Sequence, residues 1–156
     1  MSINWQHIWE HVTREFQCDV NSLHGPSHWR RVEINGLLIA TRSGAVEDVV
    51  RLFSVFHDSR RDHDDWDDTH GACAANYIAS LRGVLFDISD EHFNLLHYAC
   101  KWHAHGELNN DPTIGTCWDA DRLDLGRVGI YPEAKYMSTE FGREIAARGS
   151  IYTFIQ

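Results

Sequence analysis

Long apolar runs are the first thing this 156-residue sequence lacks. No window approaches the roughly 18–20 consecutive apolar residues that a bilayer-spanning helix needs. The opening "MSINWQHIWEHV" has neither the basic start nor the apolar stretch of a secretory signal. The expectation is a cytoplasmic protein with no membrane partner. Basic charge is also scarce: 14 Lys and Arg face 23 Asp and Glu, a formal net charge of −9. That balance argues against a nucleic-acid polymer as partner, since phosphate backbones are bound by basic patches. A small anionic substrate would need a local source of positive charge.

Cysteine pairing is absent as well. Cys18, Cys73, Cys100 and Cys117 form no CxxC motif, so neither a zinc ribbon nor a dithiol redox motif is present. Three of the four fall on helix faces that look buried, the pattern of core thiols in a reducing compartment. There are only three prolines, at 26, 112 and 132, each beside a helix start or a turn. Strand-like alternation is rare, and there is no repeat, low-complexity tract or interdomain linker. Residues 1–156 therefore read as one all-α domain, a helical bundle.

What is abundant is helical periodicity and histidine, at 11 residues. Apolar spacing and caps predict helices over about 3–17, 26–41, 45–58, 70–82, 89–103, 113–125 and 139–148, with loops at 59–69, 104–112 and 126–137. Positions i, i+3, i+4 and i+7 share a helix face. On the third helix Val46, Val49, Val50 and Phe53 make the stripe, and its next member is His57, with Asp58 beside it. On the second, the face of Val32 and Ile39 extends back to His28 and then His24. On the fourth, His70 starts a stripe of Cys73, Ala74, Tyr77 and Leu81; on the fifth, His103 continues that of Phe93, Leu96 and Cys100. On the sixth, Ile114, Cys117, Trp118 and Leu125 share a face whose missing member is Asp121, with Asp119 out of phase.

An inward carboxylate costs several kcal/mol unless it is paired. Two explanations stand at this point. Asp121 could pair with Arg122 or with Arg30, and each histidine could be an ordinary hydrogen-bonded core residue. Alternatively His28, His57, Asp58 and Asp121 share one divalent cation, for which imidazole and carboxylate are suitable ligands.

These residues resemble the HD-domain superfamily of metal-dependent phosphohydrolases. "HGPSHWRRV" is similar to its first-histidine helix, "LFSVFHDSRR" to its His-Asp doublet, and "DADRLDLGRVG" to its closing aspartate helix. The resemblance covers about residues 20–130. It implies a metal held by His28, His57, Asp58 and Asp121, with Asp119 as the alternative last ligand. "THGACAA" and "KWHAHGE" supply His70 and His103, with His105 as an alternative, for a second metal bridged by Asp58.

The implied cofactor is one or two ions of Mn, Fe, Co, Ni, Zn or Mg. The implied activity is hydrolysis of a phosphoester or phosphoanhydride of a nucleotide or another small phosphorylated molecule by a metal-activated water. Asp58, His70 and His103 are the candidate catalytic groups. Asp62, Asp65 and Asp68 are further proton acceptors by sequence proximity alone. Lys101, Arg122 and His24 are candidate substrate contacts, while Arg60 and Arg61 read more readily as solvent-facing charge. Arg122 could instead brace the carboxylates beside it. The acidic stretch 62–68 reads as a hydrated loop, with a lid as the functional alternative.

The chain lacks the Gly-Tyr-Pro extension of cyclic-dinucleotide phosphodiesterases, and "RRDHDDWDD" does not assign it to a known subfamily. A non-catalytic metal- or ligand-sensing HD domain and a di-iron oxygenase-type HD enzyme are the alternatives. The sequence does not indicate an oligomeric state.

Overall fold

The computed structural model describes residues 2–154. Among them are seven α-helices: α1 (Trp5–Glu15), α2 (Pro26–Ser43), α3 (Glu47–Phe56), α4 (His70–Leu81), α5 (Asp90–Trp102), α6 (Pro112–Arg122) and α7 (Glu140–Arg148). Short 3-10 turns lie at Leu125–Val128 and Ala134–Tyr136, inside the predicted loop 126–137, and at Ile151–Thr153. Within the described residues there is no strand, only a single bridge between Arg82 and Phe86, and no helix is long and apolar enough to cross a membrane. The all-α expectation holds.

Local chemistry sets the helix ends. Pro26 and Pro112 occupy first-turn positions, where a missing N–H costs nothing. The Asp111 side chain accepts hydrogen bonds from the backbone N–H groups of Thr113 and Ile114, and Ser89 and Thr139 cap α5 and α7 in the same way. Gly44 and Gly149 end α2 and α7 with φ of 78° and 79°, a left-handed geometry that a β-carbon disfavours.

Helix α2 is central, packing against both α3 and α6, while α4 pairs with α5 and α5 with α3. Trp29, Phe53, Phe56 and Trp118 are fully buried between them. Buried indole N–H groups need acceptors, and Trp29 and Trp118 donate theirs to the carbonyls of His24 and Ala99. One consequence is that the chain just before α2, which carries His24, is tied to the core.

The predicted face of α4 needs correction. Its buried residues are His70, Gly71, Ala74, Ala75 and Ile78, while Cys73 is exposed and Tyr77 and Leu81 are only partly buried. The reason is steric. A β-carbon at Gly71 would lie 2.6 Å from the Lys101 carbonyl oxygen and 2.8 Å from that of Cys100. The small face Gly71, Ala74, Ala75 is what lets α4 approach the α5 backbone, and that contact overrides the more apolar stripe next to it. Cys100 and Cys117 are buried free thiols, as expected, and Cys18 is half-buried.

Candidate metal centre

His28 lies in the first turn of α2, His57 and Asp58 directly follow α3, and Asp121 lies in the last turn of α6. The α2 pairing with α3 and α6 brings them together. One ligand atom from each of the four lies within 4.8 Å of all the others. On the far side of Asp58, His70 from the start of α4 and His103 just beyond α5 form a second group with it under the same criterion. Asp58 serves both: Oδ2 is 3.3 Å from His28 Nε2 and 3.4 Å from His57 Nε2, and Oδ1 is 3.3 Å from the Nε2 atoms of both His70 and His103.

The histidine tautomers follow from what each Nδ1 touches. His57 Nδ1 is 3.0 Å from the Phe53 carbonyl oxygen, His70 Nδ1 is 2.8 Å from that of Asp67, and His103 Nδ1 is 2.6 Å from that of Cys100. His28 Nδ1 is 2.7 Å from Asp124 Oδ2. Carbonyls and ionised carboxylates only accept, so each Nδ1 carries a proton, and a ring with no second proton turns an Nε2 lone pair inward. These lone pairs face each other at 3.1 Å between His28 and His57, and at 2.9 Å between His70 and His103. Such contacts repel unless positive charge lies among them. Asp121 Oδ1 is buried with no hydrogen-bond partner among the described residues, 3.1 Å from His28 Nε2 and 3.3 Å from His57 Nε2. The donor set fits a divalent transition metal on the His28 side, with a second on the His70 side.

The charge state of the protein alone says the same. Burial pushes the His28 imidazole toward neutrality, but the carboxylates of Asp121, Asp124 and Asp58 around it outweigh that and raise its pKa to about 10. Burial would raise the Asp58 carboxyl, yet the charge of His57 and the imidazoles of His103, His24 and His28 around it hold it well below the usual range. Asp121 is held down similarly, against burial, by His57, His28 and Arg127. The cavity demands positive charge and supplies acceptors around it.

Other expectations resolve differently. Asp119 is fully buried, yet it binds the start of α7: its carboxylate accepts from the Ser138 and Thr139 N–H groups at 2.6 and 2.8 Å and from the Thr139 hydroxyl at 2.7 Å. It is therefore not the last ligand. His105 is exposed and packs edge-on against Trp102, outside both groups. Arg122 makes no hydrogen bond or ion pair with Asp119 among the described residues: it donates to the carbonyls of Tyr136 and Glu107 and is buried as a strut between two loops. Arg30 is exposed over the Trp9 ring rather than paired with Asp121.

Arg61 overturns the solvent-facing reading. It is 8% exposed, its Nε is 3.6 Å from Asp58 Oδ1, and its Nη1 donates to the carbonyls of His63 and Asp65. Those bonds fold the acidic loop back on itself, and Asp64 accepts from the Leu23 N–H at 3.2 Å. Asp62, Asp65 and Asp68 remain exposed on that loop. Lys101 is half-buried beside the Trp102 ring, and Arg60 lies over Tyr77. His24 is buried with Nδ1 3.4 Å from Asp58 Oδ2 and without a hydrogen-bond partner among the described residues.

Sequence reasoning missed Asp124. Its two oxygens accept from His28 Nδ1 and from Arg31 Nε, at 2.7 and 2.8 Å. The signal was there: Asp124 is three residues beyond Asp121, and Arg31 three beyond His28.

No family model matches the chain, and no curated protein does. Among solved structures, one is similar over 98% of this chain and 87% of its own length, with a TM-score of 0.72 and 27% identity. It is described as a predicted HD superfamily hydrolase from an uncultured Thermotogales bacterium. A helical bundle that gathers a histidine, a His-Asp doublet and a distant aspartate is the architecture of HD domains. The fold and this arrangement of residues are similar to those of that structure and support the resemblance to the HD-domain superfamily.

Proposed function

We propose that the protein is a metal-dependent hydrolase that cleaves a phosphate ester or anhydride bond in a small phosphorylated molecule, with nucleotides the leading class. One observation carries this reading. Four Nδ1-anchored imidazoles aim their Nε2 atoms at the two oxygens of a single buried carboxylate, Asp58. His28, His57, Asp58 and Asp121 would hold the first ion; Asp58, His70 and His103 would hold a second. A divalent ion there supplies a Lewis acid for a phosphoryl oxygen and lowers the pKa of water.

The chain's own residues do the rest. Asp58 stays ionised and fixes the two histidine pairs relative to each other. Arg127, with Nη2 3.7 Å from Asp121 Oδ1, and Arg61, beside Asp58, place fixed positive charge next to the centre, where an anionic substrate on an acidic protein needs it. His24 is the histidine of the cluster with an uncommitted ring nitrogen, suited to hydrogen-bond a phosphoryl oxygen or the leaving group.

The test is a panel of nucleotides and general phosphoesters assayed with Mn, Fe, Co, Ni, Zn and Mg in turn. Wild-type protein should release phosphate or nucleotide with at least one pair, and His57→Ala should abolish that release while far-UV circular dichroism is unchanged. Hydrolysis at the wild-type rate in His57→Ala would refute the assignment. The shared Asp58 also suits a di-iron oxygenase-type centre. Oxygen consumption by iron-loaded protein, with no hydrolysis on any panel member, would favour that alternative.

A further inference from the structure

A cavity of about 520 Å³ lies between α2, the 123–132 segment, α7 and the final 3-10 turn. None of the candidate metal ligands lines it; its one link to the centre is the shared wall residue Asp124. Ile34, Leu123, Ile145 and Ile151 form an aliphatic lining, and Tyr131 and Tyr152 stand at the rim 88% and 69% exposed.

The polar groups set the sign of what fits. Both Asp124 oxygens are occupied, by His28 and by Arg31. Arg31 bonds through Nε to Asp124 and through Nη1 to Ser27, which leaves Nη2, on a side chain 44% exposed, with no acceptor among the described residues. The cavity therefore offers an apolar chamber with one free charged donor at its wall. A chamber of this size matches pockets for drug-sized molecules, about 300–1,000 Å³. It is small for a protein partner, which needs on the order of 800 Å² of surface per side.

We propose that this cavity is a binding site, separate from the metal centre, for a small organic anion with an aromatic or branched aliphatic body and a carboxylate, sulfonate or phosphate head held by Arg31. The body replaces water against the aliphatic wall, and the head makes the charge-assisted bond that Arg31 Nη2 has free.

The probe is 1-anilinonaphthalene-8-sulfonate, titrated into the folded full chain with fluorescence as readout and near-UV circular dichroism as the fold check. The expected result is saturable binding of about one equivalent. Arg31→Gln should weaken it about tenfold, in keeping with the loss of one bond to a charged group. Neutral N-phenyl-1-naphthylamine should bind about tenfold more weakly for the same reason. Ala146→Trp, which fills the chamber, should abolish binding; if that variant loses its near-UV signal, Ile34→Trp at the exposed rim decides instead.

Asp58→Ala, which empties the metal centre, should bind the dye as wild type does, so this site can fail or stand independently of the hydrolase reading. Non-saturable binding, wild-type affinity in a folded chamber-filling variant, equal affinity for the neutral dye, or loss of binding in folded Asp58→Ala would each overturn the proposal.

Discussion

The two sides of Asp58 use the same imidazole chemistry and differ in everything around it. On the α2 side, two histidines are joined by a second carboxylate, Asp121, and a third carboxylate, Asp124, stands behind His28. On the α4 side, two histidines are backed only by backbone carbonyls, and the Arg61 guanidinium lies 3.6 Å from the one carboxylate oxygen available. Coulomb attraction for a divalent ion scales with the nearby negative charge, and a carboxylate behind an imidazole raises its basicity as a ligand. The α2 side should therefore bind first and tightly, and the α4 side second and weakly. Histidines alone do not make two sites equal; the carboxylates rank them.

The substitution with the largest expected effect removes what the two sides share. Asp58→Ala should lose both metal equivalents and all hydrolysis while keeping the helical content of the wild type, read by elemental analysis, activity and circular dichroism. Next comes the test of the ranking itself. His103→Ala should lose the second equivalent and keep the first; loss of both would mean that the sides fill as one unit. Asp124→Asn should weaken only the tighter site, by about 10–100-fold in chelator competition, the usual range for an outer-shell partner. An equal loss at both sites would break the comparison.

A smaller effect is expected in the pH dependence of metal-free stability. His28 has an ordinary value of 6.5 and a folded value of about 10. Its contribution is complete below about 6.5 and is lost as pH rises through 10. Asp58 and Asp121 sit below their ordinary value of 3.8, so their contribution is present above that pH and is lost as pH falls through their folded values. The Tm of chelated protein should fall between pH 6.5 and 10. Metal-loaded protein should lose less over that range, because the ion takes the place of the His28 proton. Parallel profiles for the two forms would count against a cation among these ligands.

Helical phase made the centre legible before any coordinates. His28, His57, Asp121 and His103 were each found as the polar member of an apolar stripe, His70 from a stripe only partly right, and all of them converge. Phase failed where tertiary contact outweighs it. The face of α4 is chosen by how closely Gly71 lets it approach the α5 backbone, which small residues permit and a hydrophobicity pattern does not record. Asp119 was out of phase because its partners are backbone N–H groups 19 and 20 residues later, on an irregular segment. Arg61 lies in a loop, where no periodicity says which way a side chain turns. Asp124 had the spacing, but nothing in the pattern separates a candidate metal ligand from a residue that holds one in place.

Anomalous diffraction from crystals grown with manganese tests the central claim most directly. The account predicts a strong peak among His28, His57, Asp58 and Asp121, and a weaker one between Asp58, His70 and His103 that grows with manganese concentration. A map with no peak at either place, or one filled only on the His70 side, would contradict it.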